Sequence, residues 1–307
     1  MALMRHHRGQ QNSAAPCISS AVNTRPEPRT AEEMYLDLLK RSLTRTLFAK
    51  EYERHALKPT TLLRRSVHTV LRRLLAPLNL ELVRLVRSGP EDYLQSGHEA
   101  ANRVEDAETM LGTLQLDQMQ ACINDVCNRG IPGDLLEAGV WRGGMTVFMR
   151  GVLRARGDNL RRVWVVDSFA GLPDPDATVD TFGWKAGDMA VSLDEVKRNF
   201  MRYGLLDDQV RFLEGFFSDT LPNASISALS VLRVDADLYE STLEVLNNLY
   251  PKLSVGGYAI FDDYQNLSDC RKAIDEYRHA HRISEPITKI DSRAIFWQRR
   301  APGAEPS

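Results

Sequence analysis

Apolar positions along the chain change their period near residue 105. Upstream, Met34, Leu38, Leu39, Leu43 and Leu47 recur at helical spacing in "AEEMYLDLLKRSLTRTLF". Thr30 with Glu33 forms the capping-box pattern that starts such a helix. The stretch "TLLRRSVHTVLRRLLAPLNLELVRLVR" interleaves leucine and valine with arginine and predicts a basic amphipathic helix broken near Pro77. Downstream, "TMLGTLQLDQMQACINDVCNRG" predicts a helix stopped at Gly130. Continuous apolar runs then alternate with helical segments. In order these are "DLLEAGV", a helix from Gly144 to Arg156, "RVWVVDSF", a helix from Leu193 to Tyr203, and "VRFLEG". There follow "ISALSVLRVD", a helix from Glu240 to Leu253, "GYAIFDD", a helix from Ser268 to His281, and "AIFWQRR". Ser192 with Glu195 marks a second capping box.

Strands that are apolar throughout and alternate with helices predict an α/β fold, a mostly parallel sheet covered on both faces. The pattern divides the chain into a disordered leader (1–30), an N-terminal helical extension (31–105), the α/β domain (106–300) and a tail (301–307). A sheet of this kind binds ligands beyond the carboxyl ends of its strands, so chemistry is expected at those ends.

Composition alters this picture little. With 39 basic and 41 acidic residues the charge argues neither for nor against a polyanionic partner, and no nucleic-acid partner is expected. Cys17, Cys122, Cys127 and Cys270 form no CxxC or regular framework, which suits reduced thiols in a cytoplasmic protein. No apolar run reaches the length of a membrane span. The arginine-rich stretch over 62–87 has two readings: an interfacial helix on an anionic membrane surface, or helices packed on the main domain with arginines in water.

The acids at the strand ends carry the chemistry. "VLRVDADLYES" ends in Asp235 and Asp237, and "GGYAIFDDY" ends in Asp262 and Asp263. Adjacent strands lie about 5 Å apart, so Asp235, Asp262 and Asp263 can meet, and three crowded carboxylates repel unless a cation joins them. Oxygen-only ligands select a hard ion, Mg²⁺ before Ca²⁺ or Mn²⁺. In "LLEAGVWRGGMTVFMRGVL", Gly139 and Gly143 follow the acid Glu137 with G-x-x-x-G spacing, not the G-x-G-x-x-G that cradles a dinucleotide pyrophosphate. A carboxylate there suits the sulfonium and ammonium of S-adenosylmethionine. Asp167, followed by Ser168, ends the second strand where ribose hydroxyls are usually held. Gly215, Phe216 and Phe217 follow the third strand, and the phenylalanines either cover an adenine ring or belong to the core. "DTFGWKAGDMAVS" is a glycine-containing loop placed to close over a ligand.

On "LEAGVWRGG", "VDSFAGLP", "RVDADLYESTLEVLNNLYPKLSVGGYAIFDDY" and "YLDLLKRSLTRTLF" the chain resembles the macrocin O-methyltransferase family. The resemblance implies a Rossmann-like class I methyltransferase fold, usually dimeric, and Mg²⁺-dependent methylation of a sugar hydroxyl of a small molecule or glycan. By position it implies Asp235, Asp262 and Asp263 as metal ligands and Asp237 as general base. It implies Glu137 and Asp167 as cofactor-binding acids. The arginine-rich stretch is longer than expected for the antibiotic-modifying members. Two other classes compete: a glycosyltransferase using Asp-Ala-Asp as a D-x-D metal site, and a non-catalytic binding protein working through its basic helices. The first leaves Glu137 and Asp262–Asp263 without a purpose.

Overall fold

The computed structural model describes residues 30–48, 52–56, 62–78, 83–87 and 107–301. The expected leader, apart from Thr30, and the tail beyond Ala301 lie outside them.

Helix α1 (Ala31–Leu43) begins at the expected capping box: Thr30 Oγ1 accepts from the Glu33 backbone N–H, and Glu33 Oε2 accepts from the Thr30 N–H at 2.8 Å. Its buried face is Leu36, Leu39, Lys40 and Leu43, whereas Met34 (61%) and Leu38 (52%) are exposed. The expected apolar stripe was therefore rotated. The helix ends at Leu43, and Leu47 sits in a separate 3₁₀ turn, Thr46–Phe48. Burial of Lys40 is what turns it: its ammonium bonds Asp117 at 2.6 Å and Gln120, so the stem lies along the core while the charge is paired.

The extension is not wholly helical. After β1 (Tyr52–Ala56) and α2 (Leu62–Leu75), β2 (Val83–Arg87) pairs antiparallel with β1. Val83 and Val86 are β-branched and fit a pleated strand better than a helix. A single basic helix through 62–87 is thus corrected to a helix ending at Leu75. On α2, Val70, Leu71 and Leu74 are exposed. Among the described residues no helix is long and apolar enough to cross a membrane.

From residue 113 the elements follow the expected order: α3 (Thr113–Asn128), β3 (Asp134–Ala138), α4 (Gly144–Ala155), β4 (Val163–Asp167), α5 (Leu193–Arg202), β5 (Val210–Glu214), α6 (Phe217–Thr220), β6 (Leu229–Val234), α7 (Tyr239–Leu249), β7 (Leu253–Phe261), α8 (Ser268–Ala280), β8 (Thr288–Lys289) and β9 (Ile295–Gln298). The strand order is β5-β4-β3-β6-β7-β9-β8, parallel through β7, with β9 antiparallel to β7 and β8 antiparallel to β9. The chain moves outward from β3 through β4 to β5, then returns to the other side of β3 for β6. The crevice between the ends of β3 and β6 is the switch point where such sheets bind ligands.

Both sheet faces are covered, as continuous apolar strands require. Leu135, Val163, Val165 and Val231 pack in one core with α1, α3, α4 and α5. Leu136, Trp164, Val166 and Leu232 pack in the other with α7 and α8. Successive residues alternate between the two. Helix α1 belongs to the first core, and Gly151 on α4 permits its approach, since a Cβ there would lie 2.3 Å from Leu39.

Each fully buried α1 leucine contributes about 1.5–3 kcal/mol by area removed from water. Leu36→Ala is therefore expected to cost ~2–5 kcal/mol, and Met34→Ala no more than ~0.5 kcal/mol, in urea denaturation followed by circular dichroism. Equal effects would mean that α1 does not belong to this core.

Candidate active site

The ends of β3, β6 and β7 lie side by side. Register places Glu137 beside Arg233 and Arg233 beside Ile260, so Asp262, two residues on, shares their face. Beyond the strands the ladder continues through Asp235 N–H to the Ala138 carbonyl (2.9 Å) and Asp262 N–H to the Val234 carbonyl (3.1 Å). Gly139 makes that closeness tolerable: its φ is +85°, and a Cβ there would fall 1.7 Å from the Asp235 carbonyl oxygen.

Arg233 is the residue that the strand-end argument missed. It is 1% exposed, in the middle of the apolar run "SVLRVD". One terminal nitrogen donates to Glu137 Oε1 (2.6 Å) and Asp235 Oδ2 (2.9 Å); the other donates to Asp262 Oδ1 (2.9 Å) and Gln115 Oε1 (3.3 Å). Arg293, on the turn between β8 and β9, donates from Nη2 to Asp262 Oδ2 (3.2 Å) and Asp263 Oδ1 (3.0 Å). Two guanidinium groups, not a metal alone, thus answer the crowding of these acids. Their signal was legible only as an arginine inside a core strand, which must be paired to be buried.

Carboxylate oxygens of Asp235, Asp237 and Asp263 lie within 4.8 Å of one another. Asp262 does not join them, because both its oxygens accept from guanidinium groups. Asp263 Oδ2 is buried without a hydrogen-bond partner. Strand alternation is not what brings Asp237 here: β6 ends at Val234, and Asp237 has φ +58°, a left-handed conformation that aspartate tolerates better than most residues. The turn folds its carboxylate back toward Asp235.

Beside this cluster opens a cavity of about 360 Å³, within the range of small-molecule sites. Gly139, Asp167, Ser168, Phe216, Asp235 and Asp237 line it, as expected. Asp167 accepts the Val140 and Phe169 backbone N–H groups at 2.8 Å each, so it also ties the loops after β3 and β4 together. Ser168 Oγ donates to the Gly171 carbonyl. Three expected cofactor residues do not line the cavity. Glu137 is 2% exposed beneath Arg233. Gly143 is the N-cap of α4, packed against Val196, and Gly215 turns the chain against Thr220. Motif spacing could not separate residues that shape the loop from residues that touch its contents. The sequence reading also passed over Trp141, Met110, Leu172 and Glu240, which the cavity brings together. Phe217 lines it while packing on the second core. In the expected closing loop, Asp180 accepts the Tyr239 N–H, Thr181 bonds Asp269, and Met189 faces the cavity.

Electrostatics follow from the crowding. Burial, then the charges of Asp235 and Asp262, push the Asp237 carboxyl up to about 8. Burial, then Asp262 and Asp237, push Asp263 up to about 7. Asp235 is raised well above its ordinary range by burial and Asp262. Glu137 is raised mainly by burial, against the pull of Arg233.

A sequence profile described as Macrocin-O-methyltransferase (TylF) matches residues 32–299. Mycinamicin III 3''-O-methyltransferase of Micromonospora griseorubida is 40% identical over 285 residues, covering 89% of this chain and 99% of that one. The 8-demethyl-8-(2,3-dimethoxy-alpha-L-rhamnosyl)-tetracenomycin-C 4'-O-methyltransferase of Streptomyces olivaceus is 51% identical over 204 residues, 64% of this chain and 78% of that protein. The solved structure of the O-methyltransferase NovP is similar with a TM-score of 0.70 at 40% identity, covering 88% of this chain and all (100%) of that one.

The raised carboxylates make a pH prediction. Their folded-state values exceed those of the unfolded chain, so the stability they contribute is present below about pH 4 and is lost as pH rises through about 7 to 8. In EDTA, the melting temperature should fall between pH 5.5 and pH 8, and Asp263→Asn should flatten that slope. A melting temperature that rises over this interval would contradict the assignment.

Proposed function

Since the chain belongs to the macrocin-O-methyltransferase family and is an S-adenosylmethionine-dependent O-methyltransferase, we propose that it methylates one hydroxyl of a vicinal diol on the sugar of a natural-product glycoside, with Mg²⁺ at its strand-end acids. One observation carries the reading: the Asp235–Asp237–Asp263 cluster stands at the edge of a cavity that also holds Gly139 and Asp167. Methyl donor and acidic cluster thereby share one space.

The acceptor class is argued from charge. Asp167, Asp174, Asp176, Asp180, Asp235, Asp237, Glu240 and Glu244 line the cavity, and among the described residues no Lys or Arg does. Such a lining repels phosphates, which favours a sugar already joined to its aglycone over a nucleotide-linked one. The relatives from S. olivaceus and M. griseorubida are named for a rhamnosyl-tetracenomycin and for mycinamicin III. The same lining disfavours the D-x-D glycosyltransferase reading, since a sugar diphosphate would meet carboxylates while Arg233 and Arg293 are engaged.

The donor set fits a hard dication: oxygen-only, crowded, and containing the unpartnered Asp263 Oδ2. Asp235 and Asp263 would hold it, with Asp262 completing the set expected from the strand ends. A bound Mg²⁺ would supply Lewis acidity, lowering the pKa of an acceptor hydroxyl and orienting the diol. Asp237 accepts the proton as the acceptor oxygen attacks the methyl carbon in line; the O–CH₃ bond forms, the S–CH₃ bond breaks, and S-adenosylhomocysteine leaves. Asp167 faces the donor ribose from the end of β4, and Phe216 borders the same cavity, where it can cover the adenine. Arg233 positions Asp235 without touching either substrate.

The reading includes a cytoplasmic homodimer. The family resemblance supports the dimer, and the exposed Met34 and Leu38 give α1 an apolar surface for a second copy. Membrane contact, if made, falls to α2 alone, where Val70, Leu71 and Leu74 are exposed beside Arg72 and Arg73.

Glycosides bearing vicinal hydroxyls, screened with and without EDTA, test the proposal. Methyl transfer should require both the donor and the divalent ion. Asp237→Asn should bind S-adenosylmethionine within about twofold of wild type in calorimetry, yet lose ~10²-fold or more of kcat. Full turnover by that variant would remove Asp237 from the base role.

A further inference from the structure

Arg293 is held by a turn built around Asp291, itself 5% exposed. Asp291 Oδ1 accepts the backbone N–H groups of Arg293 and Ala294 at 2.8 Å each, and its Oδ2 accepts from Gln115 at 3.0 Å. Gln265 closes the turn, donating its side chain to the Asp291 carbonyl and its backbone N–H to the Arg293 carbonyl. The backbone is thus fixed and aims the guanidinium at the acids. Its Nη2 bridges Asp262 and Asp263, which are 1% and 3% exposed, while the Arg293 side chain is 24% exposed. Arg233, the other cation here, is 1% exposed and tied to three strands. Of these two cations, Arg293 is the one with a route to solvent.

The two arginines divide the acids unequally. Arg233 takes one oxygen each of Glu137, Asp235 and Asp262. Arg293 takes Asp262 Oδ2 and Asp263 Oδ1, the oxygens needed for Asp262 and Asp263 together to grip a dication. The same two positions therefore serve either a guanidinium or an ion, and a dication beside Asp263 is repelled by the guanidinium while it stays. We propose that Arg293 is an internal counter-cation that exchanges with the divalent ion, releasing Asp262 and Asp263 as the ion enters and thereby setting its affinity. This rests on the metal reading above. It also reconciles the acids grouped by sequence, Asp235, Asp262 and Asp263, with those grouped by geometry, Asp235, Asp237 and Asp263. Arg293 is a positioning residue here, not a catalytic one.

The test is Mn²⁺ binding to the full chain, by calorimetry and by the loss of free-ion signal in electron paramagnetic resonance. Removing a competing cation should tighten binding: Arg293→Gln should lower the Mn²⁺ Kd by about tenfold, an ordinary coupling between two sites. The variant should melt lower than wild type in EDTA and gain more from saturating Mn²⁺. Arg293→Lys keeps the charge but not the planar fork, so its Kd should fall by less, about threefold; it carries the comparison should Arg293→Gln not fold. Equal or weaker affinity in the variants overturns the exchange and leaves the metal reading standing. If wild type binds no Mn²⁺, or binds it as well with Asp235→Asn and Asp263→Asn, both fall.

Discussion

One buried guanidinium organises this site. Arg233 lies in the central strand of a parallel sheet, with Glu137 on one neighbouring strand, Asp262 beyond the other and Asp235 two residues along its own. An arginine at that depth is tolerated only if its donors are met, and removing one partner of such a pair typically costs ~3–5 kcal/mol. Each acid is equally committed, since without Arg233 it would be a buried charge with no partner. The strands therefore cannot slip or splay without breaking several charge-assisted bonds at once. The loops that follow them, holding Gly139, Asp235, Asp237 and Asp263, start from fixed points.

That rigidity comes with an electrical imbalance. Five carboxyl groups (Glu137, Asp235, Asp237, Asp262 and Asp263) face two guanidinium groups at the strand ends. The surplus has nowhere to go in a site where burial is the largest influence on Asp235, Asp237 and Asp263. Either protons or a cation must complete it, and the choice turns on pH and ion supply. An O-methyltransferase can use such a surplus: a hydroxyl holds its proton at neutral pH, and the group that removes it must be both near and basic. An acid-crowded floor meets this need better than one ordinary carboxylate.

Much of the fold was legible because its main signal is redundant. Apolar runs such as "VWVVD" and "SVLRV", separated by helices with clear starts and stops, admit few arrangements, and a parallel sheet with both faces covered is the simplest. The extension was harder. "YERHA" carries no alternation to mark a strand, and "LVRLVR" suits either a helix or a strand until its pairing partner is known. At the site, the acids at the strand ends were evident, since carboxylates ending core strands demand an explanation. The arginines were not: Arg233 reads as one letter within an apolar run, and Arg293 is distant in sequence from the acids it meets. Glu137 was given to the cofactor because motif spacing reveals a loop's shape but not which side of it a side chain takes. Asp237 was placed in the right cluster for the wrong reason, a left-handed turn doing what strand alternation was expected to do.

The account stands on one physical claim, that the ends of β6 and β7 form an oxygen-lined seat for a dication next to the methyl donor. Anomalous diffraction from crystals grown with Mn²⁺ and S-adenosylhomocysteine addresses it most directly. The account predicts a single strong peak at about 2.1 Å from oxygens of Asp235 and Asp263, the distance of a small hard-ion bond, with the nucleoside against Asp167. A map with no peak there, and Arg293 still bridging Asp262 and Asp263, would contradict it.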